Sequence, residues 1–152
     1  MCKIYVDFDG VLVDTPKIIC QEIEKNGNCI ETFKNLPWDY CLSNCNEIEN
    51  NIKYLQQLLQ IQEVTILTHV YSEKEKSKKS KFISKKIGNI NVIAVPYFLK
   101  KNEMVEAEGN ILIDDCFSNI LSWESAGGIG ILFDKERKLE NILLEMEKKL
   151  YE

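Results

Sequence analysis

The chain has 152 residues, 45% of them apolar and 28% charged, with a formal net charge of −5. This is ordinary globular usage for one core with room for a modest insertion, and the negative balance argues against general nucleic-acid affinity. No apolar run is long enough to span a bilayer, and Asp7 and Asp9 interrupt the N-terminal apolar stretch before it forms a signal-type segment, so a cytoplasmic protein is expected. In such a compartment Cys2, Cys20, Cys29, Cys41, Cys45 and Cys116 are expected to be reduced thiols. Cys41-x₃-Cys45 with Cys29 lacks the paired C-x₂-C of a zinc site, and the lone histidine, His69, lies elsewhere.

The first expected element is a short buried strand over Lys3 to Val6. It stops on Asp7 and Asp9, spaced i, i+2. Where a strand relaxes into a loop, both carboxylates can turn to one point and offer oxygen ligands to a hard cation such as Mg²⁺. Gly10 supplies the turn that a side chain would block. Asp14-Thr15-Pro16 then opens a helix with Ile18, Ile19 and Ile23 on one face, closed at Asn26-Gly27-Asn28. From Cys29 to Asn46 there is no clean period, but Phe33, Trp38 and Tyr40 crowd around Pro37. A second helix, about Glu47 to Gln60, carries Ile48, Ile52, Leu55 and Leu59 as a stripe and leads into a strand over Val64 to Leu67. Thr68 closes that strand, suited by its hydroxyl to phosphate oxygens, beside His69. Fifty-eight residues separate Asp9 from Thr68, far more than a plain crossover needs, so an inserted cap over the strand ends is expected. The three aromatics would either stack a nucleobase or form the cap's own core.

Ser72-Glu73-Lys74-Glu75 is a capping-box start to a helix ending near Ile87, with Phe82, Ile83 and Ile87 inward. Its lysines, Lys74, Lys76, Lys78, Lys79, Lys81, Lys85 and Lys86, read as a solvated face. The sharper alternative is a patch that steers a phosphorylated substrate or binds a nucleic-acid end. A third strand (Asn91 to Val95), the pair Lys100-Lys101, a short helix (about Asn102 to Ala107) and a fourth strand (Ile111 to Ile113) follow, delivering Asp114-Asp115. Ser118 caps a helix with Ile120, Leu121 and Trp123 apolar, in which Asn119 and Trp123 would brace the loop after the fourth strand. Gly127-Gly128 stops that helix, and Ile129 to Phe133 is the fifth strand. Leu139, Ile142, Leu143, Met146 and Leu150 mark a final core-facing helix. Alternating strands and helices specify an α/β sandwich whose ligands gather outside the carboxyl ends of the strands, where Asp7, Asp9, Thr68 and Asp114 all fall.

Asp7-x-Asp9-Gly10-Val11-Leu12-x-Asp14 resembles motif I of the haloacid dehalogenase-like (HAD) phosphohydrolases. Ile66-Leu67-Thr68 resembles motif II, a lysine at 100 or 101 is placed like motif III, and Ile111-Leu112-Ile113-Asp114-Asp115 resembles motif IV. Asn119, Trp123 and Gly127-Gly128 resemble the branch holding the cytosolic 5′-nucleotidases (deoxyribonucleotidases). The resemblance implies a Rossmann-like three-layer α/β sandwich with a mostly parallel sheet. One domain would cover residues 1–152, with a small helical cap inserted after the first strand at about 16–50. It also implies a Mg²⁺-dependent phosphomonoesterase. Asp7 would be the nucleophile and Asp9 the general acid and base. Mg²⁺ would be held by the Asp7 carboxylate, the Asp9 main-chain carbonyl and Asp114, with Asp115 or water completing the shell. Thr68 and Lys101, favoured over Lys100 by its spacing to Asp114, would bind the phosphoryl oxygens. Trp38 and Tyr40 are candidate substrate contacts on a cap too small for the branch's own contacts to carry over. The expected partner is a small phosphorylated substrate, a nucleotide first. The alternatives are another phosphorylated metabolite, a nucleic-acid end, and a non-catalytic phosphate-sensing or partner-binding module.

Overall fold

A computed structural model describes residues 1–134 and 139–151, without the side chains at 143, 147 and 149–151. The expected apolar contributions of Leu143 and Leu150 therefore lie outside the described residues. Five strands, β1 (Ile4–Val6), β2 (Val64–Val70), β3 (Asn91–Pro96), β4 (Ile111–Asp114) and β5 (Ile129–Leu132), form one sheet in the order β3-β2-β1-β4-β5. Every pairing is parallel. β1 is central because both its faces and both its edges are covered, which suits the unbroken apolar run Ile4-Tyr5-Val6.

The helices are α1 (Thr15–Asn26), α2 (Ile30–Lys34), α3 (Trp38–Asn44), α4 (Asn51–Leu58), α5 (Glu73–Lys86), α6 (Lys101–Met104), α7 (Phe117–Ser125) and α8 (Leu139–Tyr151). Strand alternation divides the core between two faces. Ile4, Val6, Ile66, Ile111 and Ile113 pack with Ile52 and Leu55 of α4, Ile83 of α5 and Ile142 and Met146 of α8. Tyr5, Leu67, Val95 and Leu112 pack on the opposite face with Ile120 and Trp123 of α7. The result is the three-layer, Rossmann-like α/β sandwich that the element order implies.

Between β1 and α4 the chain builds a separate small cluster, Ile18, Leu36, Trp38 and Cys41, from α1, α3 and the α2–α3 connection. α2 and α3 account for the stretch without a clean period: each is shorter than two full turns, too short to print a stripe in the sequence. This helical insert reaches the main body chiefly through α3 against α5. β2 departs from expectation in length. It continues through Thr68, His69 and Val70, paired with Ala94, Val95 and Pro96, so Thr68 lies inside the strand and does not close it.

Candidate active site

Register brings the acidic residues together. Val6 of β1 pairs with Ile66 of β2 and Ile113 of β4, so the next residue along each strand, Asp7 and Asp114, emerge side by side at the carboxyl edge. The Asp7 amide donates to the Ile113 carbonyl (2.9 Å), fixing that alignment. Lys101 stands in the first turn of α6, which is secured where the Lys100 amide donates to the Glu103 carboxylate (2.7 Å). Its ammonium lies 3.0 Å from Asp7 Oδ1 and 2.6 Å from Asp114 Oδ2, while Lys100 is exposed.

Asp114 is fully enclosed. Its Oδ2 also accepts from Asn119 Nδ2 (3.0 Å) and its Oδ1 from the Cys116 amide (2.8 Å). Trp123 Nε1 donates to the Asn110 carbonyl (3.0 Å), tying α7 to the turn before β4. Asp115 stands differently: it is exposed, and its carboxylate lies so close over Gly10 that a Cβ there would fall 2.0 Å from Oδ2. Gly10 also has φ +81°, the left-handed region that favours glycine.

Carboxylate oxygens of Asp7, Asp114 and Asp115 lie within 4.8 Å of one another, a spacing that could hold a metal ion. Burial pushes the Asp7 carboxyl well above its ordinary range and Asp114 pushes it further, against the opposing pull of Lys101. Partial desolvation of its carboxylate and the neighbouring Asp114 push Asp115 up to about 6. Three carboxylates facing one ammonium leave an excess of negative charge, which is what a divalent cation in this cluster would offset.

Asp9 sits in the loop after β1, bridged to Val13. Thr15 donates its hydroxyl to Asp9 Oδ1 (2.6 Å); Thr68 donates to Oδ2 (3.4 Å). The sequence reading missed the strongest partner, Lys79, whose ammonium lies 2.5 Å from Asp9 Oδ2. Neither the solvated face nor the surface patch holds for this lysine. Lys79 is 1% exposed, inside the network, and also contacts Glu75 (2.7 Å), the His69 carbonyl (3.1 Å) and the Thr68 hydroxyl (3.4 Å). Burial alone would lower its pKa, but Asp9 and Glu75 outweigh burial and raise it, so Lys79 is a cation. The signal was present: Glu75 and Lys79 are four apart on the stripe that carries Phe82 and Ile83. Lys74, Lys76, Lys81, Lys85 and Lys86 are exposed as expected, and Lys78 pairs with Asp39 of α3 (2.8 Å).

The two cap aromatics part company. Trp38 is 2% exposed, packed in the insert with the Lys79 ammonium 4.5 Å from its ring centroid, so it is not presented for stacking. Tyr40 is exposed. Phe33 of α2 instead stacks on Tyr71 (4.7 Å), which stacks on Tyr97 (4.9 Å). His69 Nε2–H donates to the Leu99 carbonyl (2.8 Å), and burial lowers the ring's pKa, so it serves as a brace.

No protein-family profile and no curated relative matches the chain. Solved structures do. A HAD phosphatase from Thermococcus onnurineus is 14% identical, covering 99% of this chain and 98% of its own, with a TM-score of 0.61. A HAD-like family hydrolase from Streptococcus pneumoniae is 13% identical over 95% of this chain and 90% of its own, with a TM-score of 0.59. A HAD family enzyme from Bacteroides thetaiotaomicron, solved with magnesium and inorganic phosphate, is 12% identical over 93% and 98%, with a TM-score of 0.60. The chain therefore has the fold of HAD-like hydrolases. Among the described residues no helix is long and apolar enough to cross a membrane.

Proposed function

We propose that the chain is a Mg²⁺-dependent phosphomonoesterase acting on a small phosphorylated substrate. The observation that carries this reading is the pair of charge networks at the carboxyl end of a parallel sheet, Lys101 with Asp7 and Asp114, and Lys79 with Asp9 and Thr68. Asp7 is the nucleophile: a carboxylate oxygen attacks phosphorus, the bond to the leaving oxygen breaks, and an aspartyl-phosphate forms. Asp9 gives a proton to the departing alcohol, then takes one from the water that attacks phosphorus and returns the Asp7 carboxylate. Lys101 and Thr68 face the phosphoryl oxygens and offset their charge.

Mg²⁺ suits the excess negative charge of the cluster and would neutralise and orient the phosphoryl group when bound. Asp7, the Asp9 main-chain carbonyl and an Asp of the motif IV pair would hold it. Because Asp114 is already engaged by Lys101, Asn119 and the Cys116 amide, Asp115 is the better third ligand, with Asp114 holding Lys101.

The narrower reading is a 5′-nucleotidase. It is supported by the resemblance around Asn119 to Gly128 and by an exposed aromatic, Tyr40, on the insert. The test is phosphate release over a panel of mononucleotides, sugar phosphates, p-nitrophenyl phosphate and oligonucleotides phosphorylated at either end. Asp7→Asn should abolish release from every substrate while the protein stays folded. An active Asp7→Asn protein would refute the covalent mechanism. Phosphate binding without turnover by the natural sequence would favour a sensing module.

A further inference from the structure

Lys79 has no role in the chemistry above, and its position is costly to maintain. It lies 1% exposed on the inward stripe of α5, where Phe82 and Ile83 show that an apolar residue would serve packing better. A buried ammonium paired with carboxylates seldom out-stabilises a well-packed apolar side chain, so stability alone is a poor reason for a lysine here.

Its contacts point to a different reason. The ammonium reaches Asp9 Oδ2 at 2.5 Å, while Thr15 holds the other oxygen at 2.6 Å, so both oxygens of one carboxylate are fixed from opposite elements. Lys79 is itself anchored by Glu75 at 2.7 Å, which also accepts from the Tyr71 amide at 2.7 Å. On its remaining side it meets the Trp38 ring of the insert. A flexible carboxylate is thereby tied both to a core helix and to the helical insert.

We infer that Lys79 is a positioning residue: it holds the Asp9 carboxyl group where the leaving oxygen is protonated, and through Trp38 makes that placement depend on the seating of the insert. This deepens the phosphomonoesterase reading and rests on it. In the step it serves, as the Asp7–phosphorus bond forms and the phosphorus–oxygen bond breaks, the proton of the Asp9 carboxyl passes to the departing alkoxide.

The leaving group separates positioning from mere structure. An alkyl alkoxide needs that proton, whereas p-nitrophenolate departs without it, and kcat/KM reports the step that forms the aspartyl-phosphate. Lys79→Met should lower kcat/KM for glycerol phosphate by about 100-fold, the scale of a lost general acid. For p-nitrophenyl phosphate the loss should stay under about 10-fold. Because the single change leaves Glu75 without its cation, Lys79→Met/Glu75→Gln, which retains an acceptor for the Tyr71 amide, should show the same selectivity if the single variant does not fold. Equal losses on both esters would overturn the inference and leave the phosphomonoesterase reading standing. A natural sequence that releases phosphate from no member of the wider panel of phosphomonoesters would overturn both.

Discussion

Replacing Lys101 by methionine tests the electrostatic core of the site without relying on catalysis. The ammonium is 1% exposed and bridges Asp7 and Asp114, the second of which has no solvent contact. Methionine fills similar space but leaves two buried carboxylates side by side. Removing one partner of a buried ion pair costs about 3–5 kcal/mol, because the remaining charge stays desolvated. For a domain of this size that is a fall in Tm of about 6–20 °C. The measurement is urea unfolding in EDTA, so that metal cannot substitute for the lost charge. The pH dependence has a definite sign. Lys101 has a raised pKa in the folded state, so its stabilisation is fully present below its unfolded value and is lost only at strongly alkaline pH. Between pH 5 and 8 any change therefore comes from the carboxylates. Deprived of the cation, the Asp7 carboxyl, already pushed up by burial and Asp114, binds a proton more readily, so the gap between variant and natural protein should narrow toward pH 5. Adding Asp114→Asn should recover part of the loss at neutral pH. A loss below about 1 kcal/mol, unchanged with pH, would mean that the pair is hydrated and behaves as a surface contact.

Trp38→Ala should cost about 3–5 kcal/mol as a fully buried aromatic, whereas Tyr40→Ala should stay within about 0.5 kcal/mol; chemical denaturation of both would detect a reversal. Asp115, raised to about 6, must lose its proton to ligate a cation, so the Mg²⁺-induced rise in Tm should grow as pH increases through about 6; an equal rise at pH 5 and pH 8 would remove Asp115 from the metal site. Among the contacts that seat the insert are the Lys78–Asp39 pair, in which Asp39 is exposed, and the Phe33–Tyr71–Tyr97 stack. Each stacked pair is worth about 0.5–1.5 kcal/mol and an exposed ion pair about 0–1 kcal/mol, so Phe33→Ala should speed amide exchange in α2 and α3 and Asp39→Asn should not. The opposite pattern would show that charge seats the insert.

What the sequence discloses and what it hides follow from one property of periodicity: it reports apolar burial, not compensated charge. The five strands were legible because each is a short apolar run bounded by turn residues. Asp7 and Asp114 were legible because parallel register turns equivalent strand ends into neighbours. Lys101 was distinguishable from Lys100 by its spacing to Asp114. Lys79 was hidden by composition. Seven lysines in one helix look like a solvated face, and only the coincidence of Glu75, Lys79, Phe82 and Ile83 on one stripe separates the buried member from its exposed neighbours. β2 was cut short for a related reason. The Thr68 hydroxyl suits a strand terminus, although Thr68 and Val70 extend the β-branched run and the strand pairs with β3 to Pro96. Trp38 and Tyr40 could not be told apart, since a helix as short as α3 shows too few turns to reveal its inward side. For Lys79 the partner that makes burial tolerable is Asp9, seventy residues away, and no local pattern records such a pairing.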